Sequence, residues 1–156
     1  MPEDVMSQSF QRIGSKSNAQ VGKDFELLAQ AFFDQQGLSL VRDFKIPVGV
    51  NLFKKDHAFD LGCTEKQVLV ECKSHKWTSG DNVPSAKLTV WNEAMYYFLA
   101  SPKSYRKIMF VLRDFSEKRS ETLAEYYLRT YAHLVPEGVE FWEYDSLKST
   151  AVQVGI

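Results

Sequence analysis

Cysteine is scarce in this chain: Cys63 and Cys72 are its only two, and they form no paired-cysteine motif. That count and spacing exclude a disulfide-built scaffold and a zinc ribbon. Each thiol stands an odd number of residues from its neighbouring acid, Asp60 or Glu71, so strand alternation turns both away from those acids. They read as core thiols in a reducing compartment. A zinc site from His57, Cys63, Cys72 and His75 remains conceivable, yet Cys72 and His75 face opposite ways on an ideal strand. Long apolar runs are also missing: no stretch approaches the about 18 consecutive apolar residues of a membrane span, and Met1-Pro2-Glu3-Asp4 lacks the basic-then-apolar layout of a signal peptide. The expectation is a cytoplasmic protein with no membrane partner. Nor is there a basic excess, since 19 Lys and Arg face 20 Asp and Glu for a net charge of −1. That balance argues against tight unaided nucleic-acid binding, although acids gathered at one site depress a net charge without emptying the surface of basic patches. Repeats and low-complexity tracts are absent. What is present, 156 residues with 44% hydrophobic and 25% charged, fits one globular domain with a sizeable core.

The most informative stretch runs from Phe59-Asp60-Leu61-Gly62 to Val68-Leu69-Val70-Glu71-Cys72-Lys73. Two apolar runs here carry three charges, and the period of two puts Glu71 and Lys73 on one face with Val70 and Cys72 on the other. A short connection through Thr64-Glu65-Lys66-Gln67 lets the two strands pair antiparallel, which brings Asp60 beside Glu71. One alternative is a solvated strand face or a plain Glu71–Lys73 salt bridge. The run Val68-Leu69-Val70 argues instead for burial on both faces, where unpaired charge is costly. Mg²⁺ is a hard cation commonly held by one or two carboxylates plus phosphate and water, so Asp60 and Glu71 suffice as protein ligands and the Cys72 carbonyl adds a third oxygen. Such a metal polarises a scissile phosphoryl group, with Lys73 orienting a water or stabilising developing charge. Phosphodiester hydrolysis is the reaction implied.

Around this stretch the chain reads as αβββαβαβ. Residues 1–17 form a flexible N-terminal arm, and 18–156 a single domain. Val21, Phe25, Leu28 and Phe32 predict a helix over Asn18–Gln36, capped by Ser17 or Asn18 and ended by Gly37. Glu26 shares a helical sector with Ala29 and Phe33, on a half-buried flank. Strands follow over Leu38–Val50, with Pro47 near an edge or bulge, then Ala58–Cys63 and Gln67–Lys76. The turn-rich loop Trp77–Asn82 leads to a helix opened by Pro84 and Ser85, carrying Leu88, Trp91, Met95 and Phe98, and ended at Ser101-Pro102. A buried strand over Lys107–Phe115, a helix over Arg119–Leu134 and a strand over Val139–Tyr144 complete the order, with a crossover before the first of these. Tyr126, Tyr127 and Tyr131 imply a partner surface or a wide core face. Lys54, Lys55, Lys76, Lys87, Thr78, His57 and His75 bracket the acids as candidate phosphate contacts, or as ordinary solvated surface.

Asp60, Glu71 and Lys73 resemble the signature of the restriction-endonuclease-like PD-(D/E)XK nuclease superfamily: an Asp, a spacer, then Glu or Asp, any residue, and Lys. Phe59 stands where a proline often precedes the first Asp. The resemblance spans roughly residues 20–115, and the element order is similar to that superfamily's α/β core, a mixed central sheet flanked by helices. It implies a Mg²⁺- or Mn²⁺-dependent deoxyribonuclease. Gly22-Lys23-Asp24-Phe25-Glu26 looks like the superfamily's first helix, where a Glu often reaches the metal site, so by resemblance Glu26 is a fourth catalytic acid; read on its own it is equally an exposed helical Glu. DNA is the partner implied first, then RNA, with a homodimer or protein partner because one compact site cuts one strand at a time. Two other readings stand beside this one: a catalytically silent nuclease-like module that binds nucleic acid or a protein, and a plain interaction protein with coincidental charges.

Overall fold

Ser17 opens the first helix, α1 (Asn18–Gln35), by accepting the Gln20 N–H at 3.1 Å, and Gly37 at φ 86° lets the chain leave it. The computed structural model describes residues 17–155, so the expected N-terminal arm lies outside the described residues except for Ser17 itself. The buried stripe of α1 is Phe25, Ala29 and Phe33, flanked by Leu28 and Phe32, whereas Val21 is exposed. The apolar face is thus rotated away from the expected Val21 line and toward the sector that includes Glu26.

Six strands build a mixed sheet in the order β1-β2-β3-β4-β7-β8. β1 (Val41–Val48), β2 (Lys55–Cys63) and β3 (Val68–Lys73) form the expected antiparallel meander. β1 is an edge, which accommodates Pro47. Helix α2 (Ser85–Ala100) crosses over from β3 to the parallel β4 (Arg106–Leu112). A two-stranded ribbon, β5 (Phe115–Ser116) with β6 (Glu121–Thr122), leads into α3 (Leu123–Tyr131) and a 3-10 turn over Ala132–Leu134, after which β7 (Val139–Asp145) pairs parallel to β4. β8 (Thr150–Val154) then adds antiparallel to β7.

Three expectations are corrected here. The helix expected from Arg119 begins at Leu123, because Ser120 takes φ 56° and Thr122 and Glu125 close a capping box that fixes the start. The fourth strand stops at Leu112 rather than Phe115, whose backbone pairs with Thr122 in the ribbon. β8 was not expected at all: its turn lacks the Gly signal of a hairpin, and Ser149 adopts the left-handed conformation instead, at φ 53°.

Two hydrophobic clusters cover the two faces of the sheet. α1 packs with Leu61, Val68, Val70, Ile108 and Phe110, while α2 and α3 pack with Phe59, Leu69, Met109, Val111 and Phe141 on the opposite face. Val68, Leu69 and Val70 alternate between these layers and all three are buried, as their unbroken apolar run predicts. Tyr127 is buried on Phe141 and Trp91, and Tyr131 stacks on Tyr127, so these tyrosines widen the core face of α3.

Candidate active site

Asp60 sits where both neighbours of β2 release it. On the β1 side the pairing runs from Val48↔Lys55 to Phe44↔Phe59 and resumes at Arg42↔Leu61, skipping Asp43, which takes φ 52°. On the β3 side the ladder ends at Leu61↔Val70. Strict alternation breaks at the same point: Phe59 belongs to the α2–α3 layer and Leu61, two residues on, to the α1 layer. A non-glycine residue in the left-handed region costs on the order of 1 kcal/mol, with Asp among the most tolerant types, and such strain concentrates at functional sites.

The backbone groups freed by this break are taken by carboxylates. The Asp60 N–H donates to Glu71 Oε2 at 3.0 Å, and the Cys72 N–H donates to Asp60 Oδ2 at 2.7 Å. Each acid therefore spends one oxygen bracing the opposite strand and keeps the other, Asp60 Oδ1 and Glu71 Oε1, without a backbone tie. Lys73 Nζ lies 3.9 Å from Glu71 Oε1, with both side chains largely buried. The three residues thus meet as their spacing predicts, although through a fork in the strands and not through continuous pairing.

Burial and mutual repulsion dominate the electrostatics. Glu71 is 7% exposed, and desolvation followed by the charge of Asp60 pushes its carboxyl up to about 8, against the counter-pull of Lys73. Desolvation also raises Asp60 above the usual carboxylate range, offset by the Cys72 N–H and Lys73. Glu26 is raised by burial and then by Asp60, which places it within electrostatic reach of the pair, but its carboxylate is held at 3.1 Å by Arg42. The Cys72 thiol is pushed well up by its burial and the surrounding acids, so it is an inert thiol whose backbone is what the site uses.

A cavity of 390 Å³ opens beside Lys73 between the N-terminal turns of α1 and α2; His75, Lys76, Thr78 and Lys87 line it, and Asp60 and Glu71 do not. Four of the seven candidate phosphate contacts are therefore gathered next to the acids. Lys54 and Lys55 are not: they line cavities along the C-terminal half of α2 with Gly49 and Ala100, and Lys54 Nζ is bonded to the Gly49 carbonyl. His75 accepts the Trp91 Nε1–H on Nδ1 at 2.8 Å, and burial with the nearby Lys73 and Lys87 charges lowers it to about 4. His57 stacks on Tyr97 at 3.6 Å, its Nε2 buried without a hydrogen-bond partner, and burial lowers its affinity for a proton. Among the described residues no three His, Cys, Asp or Glu side chains converge as a ready ligand set, whether His57, Cys63, Cys72 and His75 for zinc or Glu26 together with Asp60 and Glu71.

Two contributors escaped the sequence reading. Arg42 has no signal beyond an alternating charge on an edge strand, yet it restrains Glu26. Asp114 accepts the Trp77 N–H and its carbonyl accepts Trp77 Nε1–H, while Ser116 donates to Asp81, so the loop after β3 is tied to the β5–β6 ribbon. Compared with family models, with curated proteins and with solved structures, the chain matches none.

Proposed function

We propose that the chain is a metal-dependent nuclease in which Asp60 and Glu71 hold a Mg²⁺ or Mn²⁺ ion and Lys73 assists hydrolysis of a phosphodiester bond. The observation that carries this reading is the forked pair itself: a buried and a half-buried carboxyl, each with one oxygen braced by the opposite strand and the other without a backbone tie, both raised by desolvation and one by the charge of the other. Such a pair is the electrostatic complement of a hard dication. Asp60 and Glu71 would hold the ion, with the Cys72 carbonyl as the third oxygen and Glu26 joining only after exchanging its tie to Arg42. When bound, the ion supplies charge to the scissile phosphoryl group and lowers the pKa of a water. Lys73, held beside Glu71 by a long ion pair, places a compact ammonium where it can orient that water or meet developing negative charge.

The meander followed by a crossover to a parallel strand, with α1 over one face and α2 and α3 over the other, supports a restriction-endonuclease-like core and so the PD-(D/E)XK resemblance. Fold analogy adds to the case without carrying it. A catalytically silent module that binds nucleic acid or a protein partner keeps one observation in its favour, the engagement of Glu26 by Arg42. Cleavage assays over single-stranded, duplex and branched DNA and over RNA, with Mg²⁺, Mn²⁺ or chelator, separate the two. The nuclease reading expects cleavage that the chelator stops; intact substrates under every metal condition would leave the silent module.

A further inference from the structure

Lys73 is shared between the carboxylate pair and the 390 Å³ cavity beside it. Around that cavity Lys76 and Lys87 are exposed, and among the described residues neither is ion-paired. Val21 from α1 and, flanking Lys87 on α2, Pro84 and Val90 supply an apolar wall. His75 adds a third kind of contact. The Trp91 indole nitrogen is a donor only, so His75 Nδ1 must accept and the ring proton sits on Nε2. The imidazole is thereby locked neutral as a hydrogen-bond donor, and it cannot serve as a cation or a base without breaking its bond to Trp91.

We propose, on the premise that the Asp60–Glu71 pair is a nuclease site, that this cavity seats one nucleotide of a single-stranded nucleic-acid segment beside the scissile bond. Lys76 and Lys87 take its phosphate as charges, the His75 Nε2–H takes an oxygen as an uncharged donor, and the apolar wall receives the sugar and base. The recess is near the lower end of ligand-pocket volumes, about 300 to 1,000 Å³, which suits one nucleotide unit and not a continuous duplex. Basic groups concentrated in this recess also reconcile strand binding with a chain whose net charge is −1.

Fluorescence anisotropy with labelled dT12 and a 12-base-pair duplex, without divalent cations and across a range of salt, tests the proposal independently of cleavage. The wild-type protein should bind the single strand about ten-fold more tightly than the duplex. Lys76→Met and Lys87→Met should each weaken that binding and reduce the slope of log K against log salt by about 0.7, the share of one phosphate contact on a single strand. His75→Asn keeps an acceptor for Trp91 and, being shorter, withdraws the donor from the Nε2 position to an amide nitrogen nearer the main chain, so it should weaken binding about three- to ten-fold with the slope unchanged. A slope that drops in His75→Asn would show a charged imidazole and overturn the fixed donor; duplex preferred over single strand, or slopes unmoved by both lysine variants, would overturn the cavity assignment. Strand binding of this form in a protein that cleaves nothing would retain the cavity and remove the catalytic reading, whereas cleavage with unmoved slopes would do the reverse.

Discussion

Lys73 and Glu71 stand 3.9 Å apart, close enough to feel each other and too far for a tight hydrogen-bonded pair, which leaves the ammonium available to a third party. Lys73→Ala should therefore retain divalent-ion binding while kcat falls on the order of 10²-fold, and Lys73→Arg should not restore it, because a planar fork cannot replace a compact ammonium at a water. Single-turnover kinetics beside metal titration check this, and an equal loss of metal affinity would recast Lys73 as a support for the ligands. Glu26 is less simple than its sequence position implies. Repulsion from Asp60 and attraction to Arg42 act on it together, so Glu26→Gln should change stability by less than about 0.5 kcal/mol while cleavage falls. Thermal unfolding run beside the cleavage assay measures both. Unchanged cleavage would place Glu26 outside the site, in a structural pair with Arg42.

At the scale of elements, the site depends on how closely β1 and β3 approach β2 on either side of Asp60. A Cβ on Gly62 would meet the Phe44 ring at 2.5 Å and the Val68 carbonyl at 2.9 Å. Gly62→Ala should thus cost about 1 to 3 kcal/mol and lower cleavage beyond what lost folded protein explains, since the same packing sets the fork at Asp60. Urea unfolding with activity normalised to folded protein is the measurement. The antiparallel meander, the Ser17-capped α1, the Pro84-opened α2 and the crossover were legible in the sequence because period and turn residues agreed along most of residues 17–112. The break at Asp43 was not: a lone aspartate at φ 52° has no pattern of its own, and it is this break that turns Asp60 and Glu71 from ladder residues into bracing carboxylates. Arg42 was equally silent, since its partner lies on another element. β8 and the shortened α3 were missed where Ser120 and Ser149 take a conformation that sequence rules reserve for glycine.

For the molecule as a whole, a Glu71 carboxyl raised from its ordinary value near 4.5 to about 8 ties stability to pH. Across that interval the folded protein binds a proton that the unfolded chain does not. The stabilisation is complete below about pH 4.5 and is lost as pH rises through about 8. Thermal unfolding in chelator should show this decline, reduced in Glu71→Gln and countered by Mg²⁺; a profile that Glu71→Gln leaves unchanged would mean that Glu71 is already ionised. No helix among the described residues is long and apolar enough to cross a membrane. The same proton gives the most direct test of the central claim, that Asp60 and Glu71 together hold one divalent cation. Calorimetric titration with Mn²⁺ at pH 7, repeated in buffers of different ionisation enthalpy, counts the protons released on binding. A single site that releases about one proton per ion and is lost in Asp60→Asn is the expected result. Absence of binding, or binding without proton release that persists in Asp60→Asn, would contradict it.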